Sequence, residues 1–356
     1  MLLQRDFLVK NVDLNFLYLL AFSVTYAAFF SFDPKAGKQY IVIYALVPGT
    51  FYLMGKYFTE RIEKRPDFVF FLLLITGITF SFSALLSVFT NILQNGYNVV
   101  DRNLPNYWTN QIVSATIMGS FLTMLMTIPS LLVSQVKKLS ILYRVLLMLL
   151  YGVALACVLR IGSRTQIGIS LITLLASLVY IMPRQSFRRN LMMFAIFFAG
   201  VFYIISNVSF DLDQGWLSAF AGRMEDNGAA DLASGGGRTD RWLKSMEYLF
   251  EKPLGWSEHE FGHAHNLWFD VLRIGGFLSF FLLIFFTSSA YLTVWQGINK
   301  NKTAYALNNQ IIIYVLAFSM VFMVEPILEG MFDFFALFCF FIGVVKKYNT
   351  DYPVIK

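Results

Sequence analysis

The chain has 356 residues, of which 57% are hydrophobic, 17% aromatic and only 14% charged, and its mean hydropathy is +0.60. That mix lies outside the range of soluble domains and excludes a water-soluble enzyme. The two cysteines, Cys157 and Cys339, sit in apolar runs, which excludes a disulfide framework or a thiolate metal site. The net charge of +6 is unevenly spread: residues 209–265 hold ten acids and five bases, a net −5, which leaves +11 on the remainder. The excess cations follow alternate short loops, as the positive-inside rule expects, so the basic balance does not call for nucleic acid.

Apolar runs of roughly 18 to 25 residues recur, the length a helix needs to cross the hydrocarbon core. Asp13–Phe32 is long and lacks a small-residue cleavage site, so it is predicted to be a retained first span, with Arg5 and Lys10 holding the N-terminus inside. The second span, Gln39–Tyr57, precedes the basic turn of Arg61, Lys64 and Arg65. The third, Asp67–Thr90, leads into the polar segment 91–110, and the fourth, Gln111–Gln135, ends at Lys137 and Lys138. Spans five (Ile141–Leu159) and six (Thr165–Met182) flank the tight turn Arg160–Arg164, and span seven (Asn190–Val208) follows the cations Arg184, Arg188 and Arg189. Spans eight (Gly275–Gln296), nine (Gln310–Val324) and ten (Gly330–Val345) complete the chain. The expected architecture is a single all-α, polytopic transmembrane helical bundle over 1–356, with both termini inside and Ser209–His265 as a large extracytoplasmic loop between spans seven and eight. Lys35 and Lys38 run against the charge bias, which the other clusters set.

That loop holds the three histidines, His259, His263 and His265. Apolar residues at 242, 243, 246, 249 and 250 predict a helix over Arg238–Lys252 stopped by Pro253, its greasy face led by Trp242 and suited to the membrane surface. Arg238 and Arg241 fall one turn apart on a neighbouring face. A second helix is expected to start at His265-Asn266, with Asn as its cap, and to enter the bilayer through LWFDVLRIGG.

Arginine is the sharpest signal, because its guanidinium matches phosphate oxygens bidentately and keeps its charge. Arg160, Arg164, Arg238, Arg241 and Arg273 share one predicted face and make a candidate pyrophosphate clamp; the competing reading has Arg160 and Arg164 snorkelling to headgroups and Arg241 paired with Asp240 or Glu247. Glu325 and Glu329 either pair with these arginines or cap a helix. The histidines admit a metal site, an acceptor-activating base at His265, or a structural bond to the next helix. Spacing alone leaves all three open.

In order along the chain, GSRTQ (Gly162–Gln166), GGRTDRW (Gly236–Trp242), KPLGW (Lys252–Trp256), AHN (Ala264–Asn266) and LRIGG (Leu272–Gly276) resemble the O-antigen ligase and O-antigen/capsule polysaccharide polymerase family of bacterial membrane glycosyltransferases. The resemblance implies a GT-C-like fold in the bacterial inner membrane, with its active site facing the periplasm. It also implies a metal-independent glycosyltransferase without a cofactor. The donor would be a glycan on polyprenyl diphosphate. The acceptor would be a lipid-linked repeat unit for a polymerase, or lipid A-core for a ligase; a flippase of lipid-linked oligosaccharide is the more distant alternative. By motif, Arg164 and Arg238 would hold the diphosphate, assisted by Arg241, Arg160 and Arg223, while His265 would orient or activate the acceptor.

Overall fold

The structure is a computed structural model that describes residues 5–32, 37–62, 65–97, 103–134, 139–207 and 237–351. Arg223, Lys35 and residues 208–236 of the polar loop lie outside the described residues, so the expectations placed on them are not addressed. The described chain is helical apart from one antiparallel ladder: α1 (Arg5–Asn11), α2 (Leu14–Phe30), α3 (Lys38–Arg61), α4 (Pro66–Asn95), β1 (Asn103–Pro105), β2 (Ile112–Ser114), α5 (Ala115–Met126), α6 (Ile128–Val133), α7 (Ile141–Arg160), α8 (Arg164–Ile181), α9 (Phe187–Asn207), α10 (Arg238–Glu251), α11 (Leu267–Lys300), α12 (Tyr305–Val324), the single turn α13 (Ile327–Gly330) and α14 (Phe332–Asp351). Among the described residues seven helical segments are long and apolar enough to cross a membrane: α3, α4, α5 with α6, α7, α8 with its terminal 3-10 turn, α11 and α12. The protein is a polytopic membrane protein.

The ladder departs from the expected fourth span. Residues 112–114, placed at the start of that span, pair instead with β1, Leu104 opposite Val113. The connecting turn is built by Asn106, whose Oδ1 accepts from the N–H groups of Trp108 (2.9 Å) and Thr109 (3.2 Å), and by Asn110 in a left-handed conformation, φ 54°. Helix α5 begins one residue after β2, with Ser114 as its cap.

The chain divides into two compact units. One joins Met1–Leu73, Ala230–Ile311 and Phe318–Lys356; the other joins Leu74–Ala229 and Ile312–Ala317. In the first, α3 and α14 approach until a Cβ on Gly55 would stand 2.1 Å from the Phe340 carbonyl oxygen, and one on Gly343 2.0 Å from that of Tyr52. Backbones this close need small residues, the usual means of helix association where lipid removes the hydrophobic driving force. Beside this seam the rings of Phe318, Phe322, Phe334 and Phe338 interlock, with centroids 5.0–6.1 Å apart. Asn15 of α2 donates to Thr293 Oγ1 of α11 at 2.9 Å and accepts from Ser289, a polar tie within apolar packing. In the second unit Val88, Met118, Leu122, Cys157 and Val158 form the core, and Ser177 Oγ donates to the Ser130 carbonyl at 2.7 Å to join α8 to α6.

Where the first unit's helices end, two buried lysines each pair with a partly exposed carboxylate. Lys56 of α3 donates to the Asn11 carbonyl at 2.6 Å and pairs with Asp13, which also accepts from Tyr52 at 3.0 Å and caps α2. Lys347 of α14 meets Glu60 Oε2 at 2.9 Å and Asn11 Oδ1 at 3.1 Å. Removing one partner strands the other charge away from water. Asp13→Ala is therefore expected to destabilise the protein by about 3 kcal/mol or more, read as a lower melting midpoint in nanodiscs. An unchanged midpoint would show that the clasp contributes nothing.

Candidate functional site

The residues singled out between 238 and 276 converge inside the first unit, on a floor made by two motifs that interlock. Helix α11 carries a break at Gly276, φ 63° and ψ −170°, just where LRIGG ends. The break leaves the Arg273 carbonyl for Trp256 N–H at 2.9 Å, while Phe277 N–H donates to the Pro253 carbonyl at 2.7 Å. Backbone groups freed in an apolar surrounding need such partners. Gly255, φ 97°, permits the approach: a Cβ there would stand 2.2 Å from the Arg273 oxygen. KPLGW is thus the complement of LRIGG, and Trp256 is buried with Leu272 and Phe280 against Tyr248 and Phe261.

Helix α10 lies over this floor and begins after Gly237 in a left-handed conformation, φ 72°. It starts and stops as the sequence predicts, ending before Pro253, but its faces are differently assigned. Trp242 does not lead the exposed apolar face. Its ring packs 6.5 Å from Phe269 and its Nε1–H donates to the Ala264 carbonyl at 2.8 Å. The exposed stripe consists of Leu243, Met246 and Phe250, continued by Leu254.

The turn His263–Asn266 hangs between α10 and α11. Arg241 Nη1 donates to the His263 carbonyl at 3.1 Å. Asn266 caps α11, its Oδ1 accepting from Trp268 N–H at 3.1 Å and Phe269 N–H at 3.4 Å. Asp270 accepts from Ala264 N–H at 2.8 Å and Asn266 N–H at 3.1 Å. Between these anchors His265 adopts φ 53°, a left-handed conformation uncommon for a residue with a Cβ. Its half-buried imidazole has Nδ1 enclosed with no hydrogen-bond partner among the described residues. Burial, and then the charges of Arg238, Arg241 and His263, press its pKa down to about 4, so His265 is neutral at neutral pH.

His263 has the opposite character. Its bond to Glu329 raises its pKa against the effect of burial; Nδ1 stands 3.5 Å from Glu329 Oε2 and Nε2 3.2 Å from Glu258 Oε1. For Glu329, burial pushes the carboxyl up, but the bonds to His263 and Arg273 outweigh it and the net shift is down. Arg273, buried, pairs with Glu329 and lies 3.4 Å from His263 Nδ1. Tyr44 fixes the turn that carries Glu329 by donating to the Leu328 carbonyl at 2.9 Å.

His263, Asp270 and Glu329 bring ligand atoms within 4.8 Å of one another, a spacing suited to a cation. Each group is nonetheless engaged: Arg273 meets Glu329, and both oxygens of Asp270 take backbone N–H groups. The guanidinium is the cation of this cluster, and a metal ion would have to displace it. The melting midpoint is therefore expected to be unchanged by EDTA; a fall that added metal reverses would assign the cluster to a metal.

The expected arginine face thus sorts into different environments. Arg238, its side chain 30% exposed, is 3.9 Å from Glu325, and Arg241 points at the turn before His265. Arg273, itself buried, is ion-paired with Glu329. Arg160, in the second unit, is buried and donates to Asn91 Oδ1 at 3.4 Å instead of snorkelling outward, whereas Arg164 opens α8 and is exposed. Arg241 pairs with a carbonyl, not with Asp240 or Glu247, and the reading in which Glu325 and Glu329 pair with arginines matches the structure. Sequence reasoning passed over Asp270, although an acid inside an apolar run was a usable signal. No family model matches the sequence, and no curated protein matches it.

Proposed function

We propose that the protein is a surface-polysaccharide polymerase, moving a glycan from polyprenyl diphosphate to a sugar hydroxyl of a lipid-linked repeat unit. The observation that carries this reading is a neutral imidazole, His265, set in a hydrogen-bonded turn under the charges of Arg238 and Arg241, the latter tied to the His263 carbonyl. In the proposed step the acceptor oxygen attacks the anomeric carbon and its proton passes to His265. The bond from that carbon to the diphosphate breaks, and the electron pair leaves with polyprenyl diphosphate. Arg238 and Arg241 stabilise the charge growing on the leaving group, as fixed cations in a partly dry site do. The motif resemblance adds Arg164 to the diphosphate ligands. It also supplies the rest of the proposal: ten spans in a GT-C-like bundle in the bacterial inner membrane, both termini cytoplasmic and the site facing the periplasm.

The test is to incubate purified protein with a polyprenyl-diphosphate glycan and, separately, a lipid-linked repeat unit or lipid A-core. Lengthened lipid-linked chains support the polymerase; a glycosylated core makes the protein a ligase. Donor binding without diphosphate release with either acceptor rejects transfer and favours a flippase.

A further inference from the structure

We infer that Trp242 and Asp270 are positioning residues, which hold the imidazole of His265 in its working orientation by fixing the two peptide planes that flank it. The inference rests on His265 being the acceptor-side base. A residue's φ is the angle its Cα makes with the preceding peptide plane, and its ψ the angle with the following one. The preceding plane, 264–265, is held through the Ala264 carbonyl by Trp242 Nε1–H at 2.8 Å. The following plane, 265–266, is held through Asn266 N–H by Asp270 Oδ2 at 3.1 Å. The other oxygen of Asp270 takes Ala264 N–H at 2.8 Å, so one carboxylate grips the chain on both sides of the histidine.

Neither side chain is where simple packing would put it. Asp270 is 3% exposed, in the first turn of an apolar helix, and an unspent carboxylate buried there would be costly. Trp242 sits on a surface helix yet turns its indole N–H inward, leaving Leu243 and Met246, each 57% exposed, to face outward. Both arrangements follow from the left-handed turn at His265, which without these bonds would relax to an ordinary conformation and swing the imidazole away from Arg238 and Arg241.

The experiment compares the full chain with Asp270→Asn and Trp242→Phe in nanodiscs. Asn replaces one acceptor oxygen by a donor, and Phe keeps an aromatic ring but removes the N–H. Carbethoxylation of His265, mapped by mass spectrometry across pH, needs no substrate, and the exposed His259 serves as internal control. In both variants the His265 midpoint is expected to rise from about 4 towards the ordinary imidazole value of about 6.5. Turnover should fall at least about tenfold with the donor KM held within about twofold. If Asp270→Asn fails to fold, Trp242→Phe decides. Wild-type titration of His265 in the folded variants overturns the inference. A shifted midpoint in a protein that transfers no glycan upholds the positioning and rejects the transferase; transfer with an unshifted midpoint does the reverse.

Discussion

His265→Asn is expected to lower turnover by about 10²–10⁴-fold, the usual contribution of a general base, while donor binding is retained. Asparagine is the informative replacement because it tolerates the left-handed backbone at 265, so the change removes the imidazole without relaxing the turn. His265→Ala should be no more active. If the Asn variant works and the Ala variant does not, the residue's role lies in its backbone. The imidazole is a weak base in the resting protein, with its pKa near 4, and a diphosphate bound as proposed would offset the charges of Arg238 and Arg241 that help keep it there. The acid limb of kcat, which reports the complex, should therefore lie at higher pH than that of kcat/KM, which reports the free protein. Coincident limbs would separate His265 from the donor site.

Linkage gives the two histidines opposite signs. For His265 the folded pKa lies below the unfolded value, so between about 4 and about 6.5 the unfolded chain binds more protons and stability falls as pH drops. For His263, whose folded pKa is raised, the contribution is complete below the unfolded value and is lost as pH rises through the folded one.

Arg238→Ala is the second large effect: kcat/KM should fall at least about tenfold, a loss of about 1.4 kcal/mol or more of transition-state stabilisation. The melting midpoint should barely move, because this side chain is partly exposed and the carboxylate oxygen nearest to it among the described residues is 3.9 Å away. Arg273→Ala should behave in the reverse manner, unfolding the protein at lower temperature by removing the buried guanidinium that neutralises Glu329 alongside His263. Arg164→Ala tests the motif assignment by itself. Near-wild-type rates in Arg238→Ala would refute the diphosphate clamp.

Much of this site could be read from the chain because its parts are local. The cap at Asn266, the stop before Pro253 and the neighbouring placement of Arg238 and Arg241 each depend on a few consecutive residues. What could not be read were choices between partners distant in sequence. Whether Trp242 faces lipid or Ala264, and whether Arg273 meets phosphate or Glu329, is decided by how α10, α11 and α13 pack. The ladder of β1 and β2 escaped for another reason: strands of three residues carry no period, and their apolar residues merge with the helix that follows. The start of α11 was legible too, at the Asn266 cap; what the chain did not show is how Asp270 and Arg273 are satisfied inside it, by two backbone N–H groups and by Glu329.

The bond from Lys347 to Asn11 fixes a matter of parity. Residues 11 and 347 lie 3.1 Å apart through their side chains, so the chain between them must cross the bilayer an even number of times to return to the face it left. The seven candidate spans among the described residues all lie between those two positions, so if each of them crosses, an odd number of further helices crosses as well. Leu14–Phe30, Phe187–Asn207 and Phe332–Asp351 would together bring the number to the proposed ten, and reporters fused to the two ends of the chain should then be reached from the same side of the membrane.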